Sequence, residues 1–290
     1  MLRLNSIFRK AVREMLPRLY TKIQVLRAAK AERDHWNERI KNVLACPANR
    51  LLPRVENAGE IENGFQIMHN GIKVVVDGYY GSGLTRLLKM NKGSHEPEEE
   101  VIFGRIIEIL PPSPVMVELG AYWGFYSMWL CKSSPYSKVF LIEPNHENLI
   151  IGQDNFSANG LSGDFTQAYI GDKSEIAPDG EPIINVDSFL RSKNINHLNI
   201  LHADIQGFEV AMLEGARSSL ESNLIDYIFI STHSNELHEE CLKFLEDVGY
   251  LIICSIDLKQ TYSFDGLVVA HSPIAKNPDL STDFKENNDN

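Results

Sequence analysis

Only four cysteines occur in the 290 residues, Cys46, Cys131, Cys241 and Cys254, and no two of them stand in a C-x-x-C pair. Neither a zinc knuckle nor a redox dithiol is therefore written here, and thiols so scattered suit a reduced, cytoplasmic setting. No apolar run reaches the about 18 residues that a membrane-spanning helix needs, so no span is expected. Near the start, Arg9, Lys10, Arg13 and Glu14 interrupt any signal-peptide core. The dinucleotide signature G-x-G-x-x-G is missing. So is a Gly-Lys-Ser/Thr ending to the glycine-punctuated stretch Gly78-Tyr-Tyr-Gly-Ser-Gly-Leu84, which reads as a plain loop and not as a phosphate cradle.

Positive charge is also scarce over most of the chain. Met1 to Arg54 holds 13 basic and 4 acidic residues, whereas the remainder holds 15 basic against 35 acidic, so a +9 arm precedes a −20 body. A nucleic-acid channel needs Lys and Arg along its groove, which such a body does not supply. The rest of the composition, 43% hydrophobic and 23% charged, is that of an ordinary globular protein.

In the basic arm, Ile7, Phe8, Val12, Leu16, Leu19, Tyr20, Ile23, Leu26, Trp36, Ile40 and Val43 recur largely at three- and four-residue steps. This predicts a short helix up to about Met15 and a longer amphipathic one from about Pro17 to Leu44. Three roles fit it: packing on its own domain, homo-oligomerisation, or peripheral contact with an anionic membrane surface. Pro47 to Gly59 reads as a linker. Asn70-Gly71, between Phe65–His69 and Ile72–Val76, is a strong hairpin signal. Four regions result: a basic helical extension (1–55), a β-hairpin with a connecting segment (56–95), a main domain (96–277) and a polar tail (278–290) expected to be disordered.

The main domain alternates short buried strands with helices. A helix over Val101–Leu110 precedes strands at Val115–Leu119, Lys138–Ile142, Phe165–Ile170, Leu198–Ala203 and Ile225–Ser231. Helices intervene at about Phe125–Lys132, His146–Asn159, Phe208–Leu220 and Leu237–Val248. Tyr250–Ser255 and Gly266–Ala270 then follow without a helix between them. The pattern predicts an α/β fold with a mostly parallel sheet, helices on both faces and an antiparallel C-terminal hairpin at its edge. Ligands of such sheets sit beyond the carboxyl ends of the strands, so the residues just after each strand are the site candidates.

After the first strand comes Glu118-Leu-Gly120-Ala121-Tyr122-Trp123-Gly124, an E-x-G-x-x-x-G turn that lets backbone approach a ligand. Tyr122 stands where a dinucleotide fold places its second glycine, which disfavours a nicotinamide oxidoreductase. The second strand ends in Glu143-Pro144-Asn145, and an acidic residue about 20 residues past the glycine turn suits the two hydroxyls of a ribose. An alternative is that Glu143 only caps the following helix. Asp172, after the third strand, is placed to reach an adenine amine. Asp204, Gln206 and Glu209 follow the fourth strand and His233 the fifth. Asp204 and His233 could deprotonate a hydroxyl, or Asp204, His233 and Glu209 could hold a divalent cation such as Mg, Mn or Ca. Helix-capping roles for Glu209 and His233 are the plain alternatives. Trp123, Tyr126, Tyr79 and Tyr80 suit an aromatic wall against a sugar face or a sulfonium, or simple packing.

The set VELGAYWGFYS, LIEPN, INVDSFL, LHADIQGFEVAMLEGA and the strand ending in STHS resembles the FkbM family of S-adenosylmethionine-dependent methyltransferases over roughly Glu96 to Gly266. The resemblance implies a class I methyltransferase (Rossmann-like) fold, a seven-stranded sheet with an antiparallel last strand, and O-methylation of a hydroxyl on a sugar, polysaccharide or related product. It implies that Glu118, Gly120 and Gly124 line the methionine part of S-adenosyl-L-methionine and that Glu143 holds its ribose, with Glu96, Ala121, Tyr122, Pro144, Asn145 and Asp204 also toward the cofactor; Asp204 matches the Asp of the family's Asp-x-Glu-Gly block. The His95-Glu96-Pro97 segment would close over the site, with Trp123, Tyr126, Gln206 and Glu209 toward the acceptor. The sequence departs from the family where Glu118 replaces the usual Asp, where Gln206 replaces a common Glu, and where Ser231-Thr232-His233 replaces an acidic residue. Losing the carboxylate at Gln206 weakens a carboxylate-rich metal site; His233 fits either a mixed Asp/His site or a metal-free base. A non-catalytic module that keeps the fold to bind an adenosine ligand or a partner is the rival from another class.

Overall fold

The computed structural model describes residues 17–278. The short helix expected up to Met15 and the tail beyond Pro278 lie outside the described residues. Helix α1 (Pro17–Ala45) has the predicted bounds almost to the residue. Its C-terminal half turns one face inward, burying Trp36, Ile40 and Val43 at helical spacing, while Val25 and Leu26 stay exposed. The segment expected to be a slack linker is a packed corner instead. A 3-10 turn spans Pro47–Arg50, and Cys46, Ala48 and Leu52 pack against Val101.

The hairpin forms as expected and gains a third strand: β1 (Ile61–Glu62), β2 (Phe65–Ile67) and β3 (Lys73–Val75) make a small antiparallel sheet. The stretch read as a glycine loop behaves differently from its composition. Tyr80 adopts a left-handed backbone with φ of 48°, and helix α2 (Gly81–Met90) begins immediately after it. Apolar residues at Leu84, Leu87 and Leu88 supply the buried face that makes this segment helical. Helix α3 (Pro97–Ile107) starts four residues ahead of the expected point, with Pro97 at its first turn.

Next come β4 (Val115–Leu119), α4 (Phe125–Ser133), β5 (Lys138–Ile142), α5 (His146–Ala158) and β6 (Asp164–Thr166). The third strand, expected to run through Ile170, stops at Thr166. The chain leaves the main sheet there, and β7 (Tyr169–Ile170) joins β8 (Glu175–Ile176) and β9 (Pro182–Ile184) in a separate three-stranded sheet. A side-chain bond from Gln167 Nε2 to the Pro144 carbonyl (3.3 Å) holds this exit. Then follow α6 (Val186–Ser192), β10 (Leu198–Ala203), α7 (Glu209–Gly215) and α8 (Arg217–Glu221). The single helix expected over 208–220 is broken at Ala216. Asp187 accepts hydrogen bonds from the backbone N–H of Ser218 and Ser219 (3.1 and 3.0 Å), which gives α8 its own N-terminal anchor. The series ends with β11 (Ile225–Thr232), α9 (Asn235–Asp247), β12 (Leu251–Ile256) and β13 (Gly266–His271).

The main sheet has seven strands in the order β12-β13-β11-β10-β4-β5-β6. Strands β4, β5, β6, β10 and β11 are mutually parallel, and β13 lies antiparallel between β11 and β12. Numbered within this sheet alone, the order is 6-7-5-4-1-2-3, the arrangement of the class I methyltransferase fold, as the family resemblance implies. The strand order reverses between β4 and β10, which places the ligand crevice above those two tips. Strands β10 and β13 are buried at every residue because helices or other elements cover both faces. Along β11, Tyr227 and Phe229 enter one core with Trp36, Phe103 and Trp129, while Ile228 and Ile230 enter the other with Leu213 and Leu245. Helix α1, the hairpin sheet and α2 thus share a single core with the main sheet.

Helix α1 is held against α2 at one crossing. A Cβ added at Gly83 would be driven into the indole of Trp36. Gly83→Ala is expected to destabilise the protein by about 1–3 kcal/mol through overpacking, read as a lower urea midpoint with unchanged far-ultraviolet circular dichroism.

Candidate active site

The tips of β4 and β10 meet at Gly120, where φ is +69° and a Cβ would be driven into the Asp204 carbonyl. Glycine is therefore required for the two strands to close on one another. Around this point, three residues that are not glycine also take left-handed backbones: Tyr80 (φ 48°), Tyr122 (φ 40°) and Gln206 (φ 55°). Each such conformation costs energy, and their convergence on one crevice marks it as a built site. At Tyr122 the backbone keeps the glycine-type turn while carrying a side chain.

All three line a cavity of about 730 Å³ beyond the strand tips, together with Gly120, Glu143 and Asp204. That volume is in the range of small-molecule sites. Glu143 is fixed at its wall: Oε2 accepts from Tyr122 N (3.2 Å), and Oε1 accepts from Asn145 N (2.9 Å) and the Asn148 amide (3.3 Å). Burial raises its pKa, and these donors work against the shift. Asn145, not Glu143, caps α5, its side chain accepting from the N–H groups of Glu147 and Asn148. The floor is apolar, with Ala168, Ile170 and Ile183 supplied by the chain that leaves the sheet after β6.

A second cavity of about 330 Å³ adjoins the first. Tyr79, Tyr80, Asp204 and Gln206 line both. Its other walls come from Trp36 and Arg39 of α1, from Glu96, and from Phe264 and Asp265 just ahead of β13. Burial raises the Asp265 pKa to about 7, with Asp204 adding to the shift.

Asp204 is held from two sides. Gln206 Nε2 donates to its Oδ1 (3.0 Å), and His233 Nε2 lies 3.2 Å from the same oxygen and 3.5 Å from Asp265 Oδ1. On its other side, His233 Nδ1 is 2.9 Å from Glu209 Oε1. Burial opposes charging this imidazole, but the surrounding carboxylates win and raise its pKa to about 10. The carboxylates thus favour the imidazolium form of His233, the residue the sequence offers as a base; its Nδ1 is bonded to Glu209, whereas Nε2 makes no well-aligned hydrogen bond. Asp204 and Glu209 lie at opposite nitrogens of the His233 ring, so the three side chains do not converge on one point as ligands of a divalent ion would. Among the described residues, no group of three or more His, Cys, Asp or Glu side chains is arranged to hold a metal.

The other sequence candidates fall behind the walls. Glu118 is buried beneath the site, where Oε2 accepts from Ser127 N (3.0 Å), and Gly124 packs on Leu141 and Phe156 at the start of α4. Trp123 is buried and stacks on Tyr79 at 4.3 Å, Ala121 is buried, and Pro144 lines the larger cavity. Tyr126 is buried and its hydroxyl donates to Glu96 (3.3 Å). Asp172 is outside both cavities, exposed and 3.7 Å from Lys173; Asp179 lines the larger one instead. Sequence reasoning missed Arg39, Phe264 and Asp265. The three-residue spacing of Trp36 and Arg39 puts them on one helical face, yet nothing in the sequence says what that face meets.

Under the site, the start of α3 carries buried carboxylates with separate partners. Glu99 Oε1 is 2.6 Å from His202 Nε2, and Glu98 accepts from Tyr262 N (3.2 Å). His95 stands between Glu100 Oε1 (2.7 Å) and Glu96 Oε2 (3.1 Å). Burial opposes its charge, but the two carboxylates raise its pKa to about 10, and the same pairing holds Glu100 down at about 2.

Residues 118–252 match the family model described as Methyltransferase FkbM domain. Among solved structures, the chain is similar to TrmK from M. capricolum in complex with S-adenosyl-homocysteine, with 13% identity and a TM-score of 0.42 over 59% of this chain and 68% of that one. It is also similar to precorrin-6y C5,15-methyltransferase from Geobacter metallireducens, with 14% identity and a TM-score of 0.41 over 60% of this chain and 87% of that one. No curated protein matches the chain.

The His95 and Glu100 shifts set a pH dependence. His95 stabilises fully below its unfolded value of 6.5 and less as pH rises to about 10; Glu100 stabilises above 4.5 and less as pH falls to about 2. His95→Gln, which strands two buried carboxylates, is expected to cost about 3–5 kcal/mol and to flatten the decline in urea midpoint on the alkaline side. An unchanged alkaline slope would contradict the assignment.

Proposed function

For a chain whose residues 118–252 form a methyltransferase FkbM domain, we propose S-adenosylmethionine-dependent O-methylation of a hydroxyl on a sugar, polysaccharide or related acceptor. The observation that carries this proposal is the meeting of the two cavities at Asp204: one fits an adenosyl ligand, the other an acceptor, and a carboxylate stands where they join. Glu143 suits the ribose, since its Oε2 accepts only one bond and keeps a free lone pair. S-adenosylmethionine would supply an electrophilic methyl on sulfonium, leaving as S-adenosylhomocysteine while the acceptor oxygen gains the methyl and loses its proton.

The protein's own residues account for the rest. Asp204 receives the hydroxyl proton. His233 and Gln206 fix the orientation of that carboxylate, and the His233 imidazolium makes His233 a positioning residue. Tyr80 and Phe264, both exposed, offer flat apolar surface of the kind that sugar rings stack on. Alignment of the two reactants at the junction supplies most of the acceleration.

Calorimetry with S-adenosylhomocysteine should show Glu143→Ala binding about tenfold or more weakly, in line with a lost hydrogen bond to a charged group. Asp204→Asn should keep that affinity while methyl transfer to extracted glycans falls about 10²–10⁴-fold. A wild type that binds no S-adenosylhomocysteine would leave the non-catalytic module as the better account.

A further inference from the structure

Arg39 is the cation in the wall of the smaller cavity, and its environment is unusual for a guanidinium. It lies 4.0 Å from the ring centre of Phe264 and 5.2 Å from that of Trp36, so two aromatic faces hold it in place. Its Nε is buried with no hydrogen-bond partner, and among the described residues it forms no ion pair. A guanidinium presents five donors in a planar fork that matches a carboxylate or phosphate, and a buried donor without an acceptor is costly. Here the fork is positioned by stacking while its buried Nε–H has no acceptor.

The carboxylates nearby do not fill that need. Glu96 faces His95 at 3.1 Å, and Asp204 faces His233 at 3.2 Å. Asp265 is buried near Asp204, and its pKa of about 7 leaves it partly protonated at neutral pH. Glu32 sits on the exposed rim, where water and salt screen it. Arg39 favours the charged forms of Glu96 and Asp265 at longer range, but among the described residues no carboxylate comes within ion-pair distance of it.

We infer that Arg39 recognises an oxyanion, a carboxylate or a phosphate, on the acceptor, so that the substrate is an acidic sugar whose anionic group lies across the smaller cavity from the hydroxyl to be methylated. This rests on the proposed function and adds the substrate class. It also assigns a role to α1, which precedes the matched family domain: the helix supplies the group that selects the acceptor.

The test is calorimetric titration of the full-length protein with glucuronate, glucose 6-phosphate and glucose, each with and without saturating S-adenosylhomocysteine. The expected result is that at least one anionic sugar binds ten times more tightly than glucose or better. Arg39→Gln should remove that preference while the affinity for S-adenosylhomocysteine stays within twofold. Arg39→Lys should restore only part of it, because a point charge replaces a fork. Comparing the two anionic sugars tells carboxylate from phosphate. Equal binding of all three sugars, no measurable binding of either anionic one, or a preference that survives in Arg39→Gln would each overturn the inference. A wild type that fails to bind S-adenosylhomocysteine overturns the methyl-transfer proposal instead, and the titrations without it still judge Arg39.

Discussion

The structure depends on one placement that water would ordinarily forbid. Successive carboxylates at the start of α3 are buried, and burial of an unpaired carboxylate is expensive enough to unfold a domain. Each one is matched to a group from a different part of the chain: His95 from the preceding loop, His202 from β10, and the Tyr262 backbone from the loop before β13. Because no partner can move without leaving a buried carboxyl group unpaired, α3 ties the N-terminal elements, the sheet and the C-terminal loop together. The crevice above the strand tips inherits its rigidity from these pairs.

The same arrangement of alternating charge extends into the site. Glu96, His95 and Glu100 form one line, and Asp204, His233 and Glu209 form another. In both, an imidazole bridges two carboxylates, and each line ends on a carboxylate that faces the smaller cavity. At these points histidines, and not lysines or arginines, stand against the carboxylates.

Much of the fold was legible because buried parallel strands and their crossover helices leave plain marks in a sequence. The strand tips then pointed to Gly120, Glu143 and Asp204, and the structure brings these three to one cavity. What could not be read depends on contacts between distant segments. The break after Thr166, which builds the cavity floor, is accompanied by a bond between Gln167 and Pro144 across 23 positions. His233 looked like a base because its strand-tip position was visible, whereas the three carboxylates that keep it protonated come from separate elements. Asp172 failed for a related reason: the chain had already left the main sheet at β7. Arg39 lay hidden in an amphipathic helix whose periodicity reports that one face is buried, and not against what.

The position of β13 bears on how the protein is made. This strand is the last of the main sheet to be synthesised, yet it occupies an inner place between β11 and β12. Until residues through His271 have left the ribosome, β11 has an open edge and β12 has no neighbour in the sheet. Phe264 and Asp265, which complete the wall beside Arg39, arrive with the same segment. The nascent chain can thus assemble the parallel half of its sheet early, but the smaller cavity comes into being only as translation of this region ends.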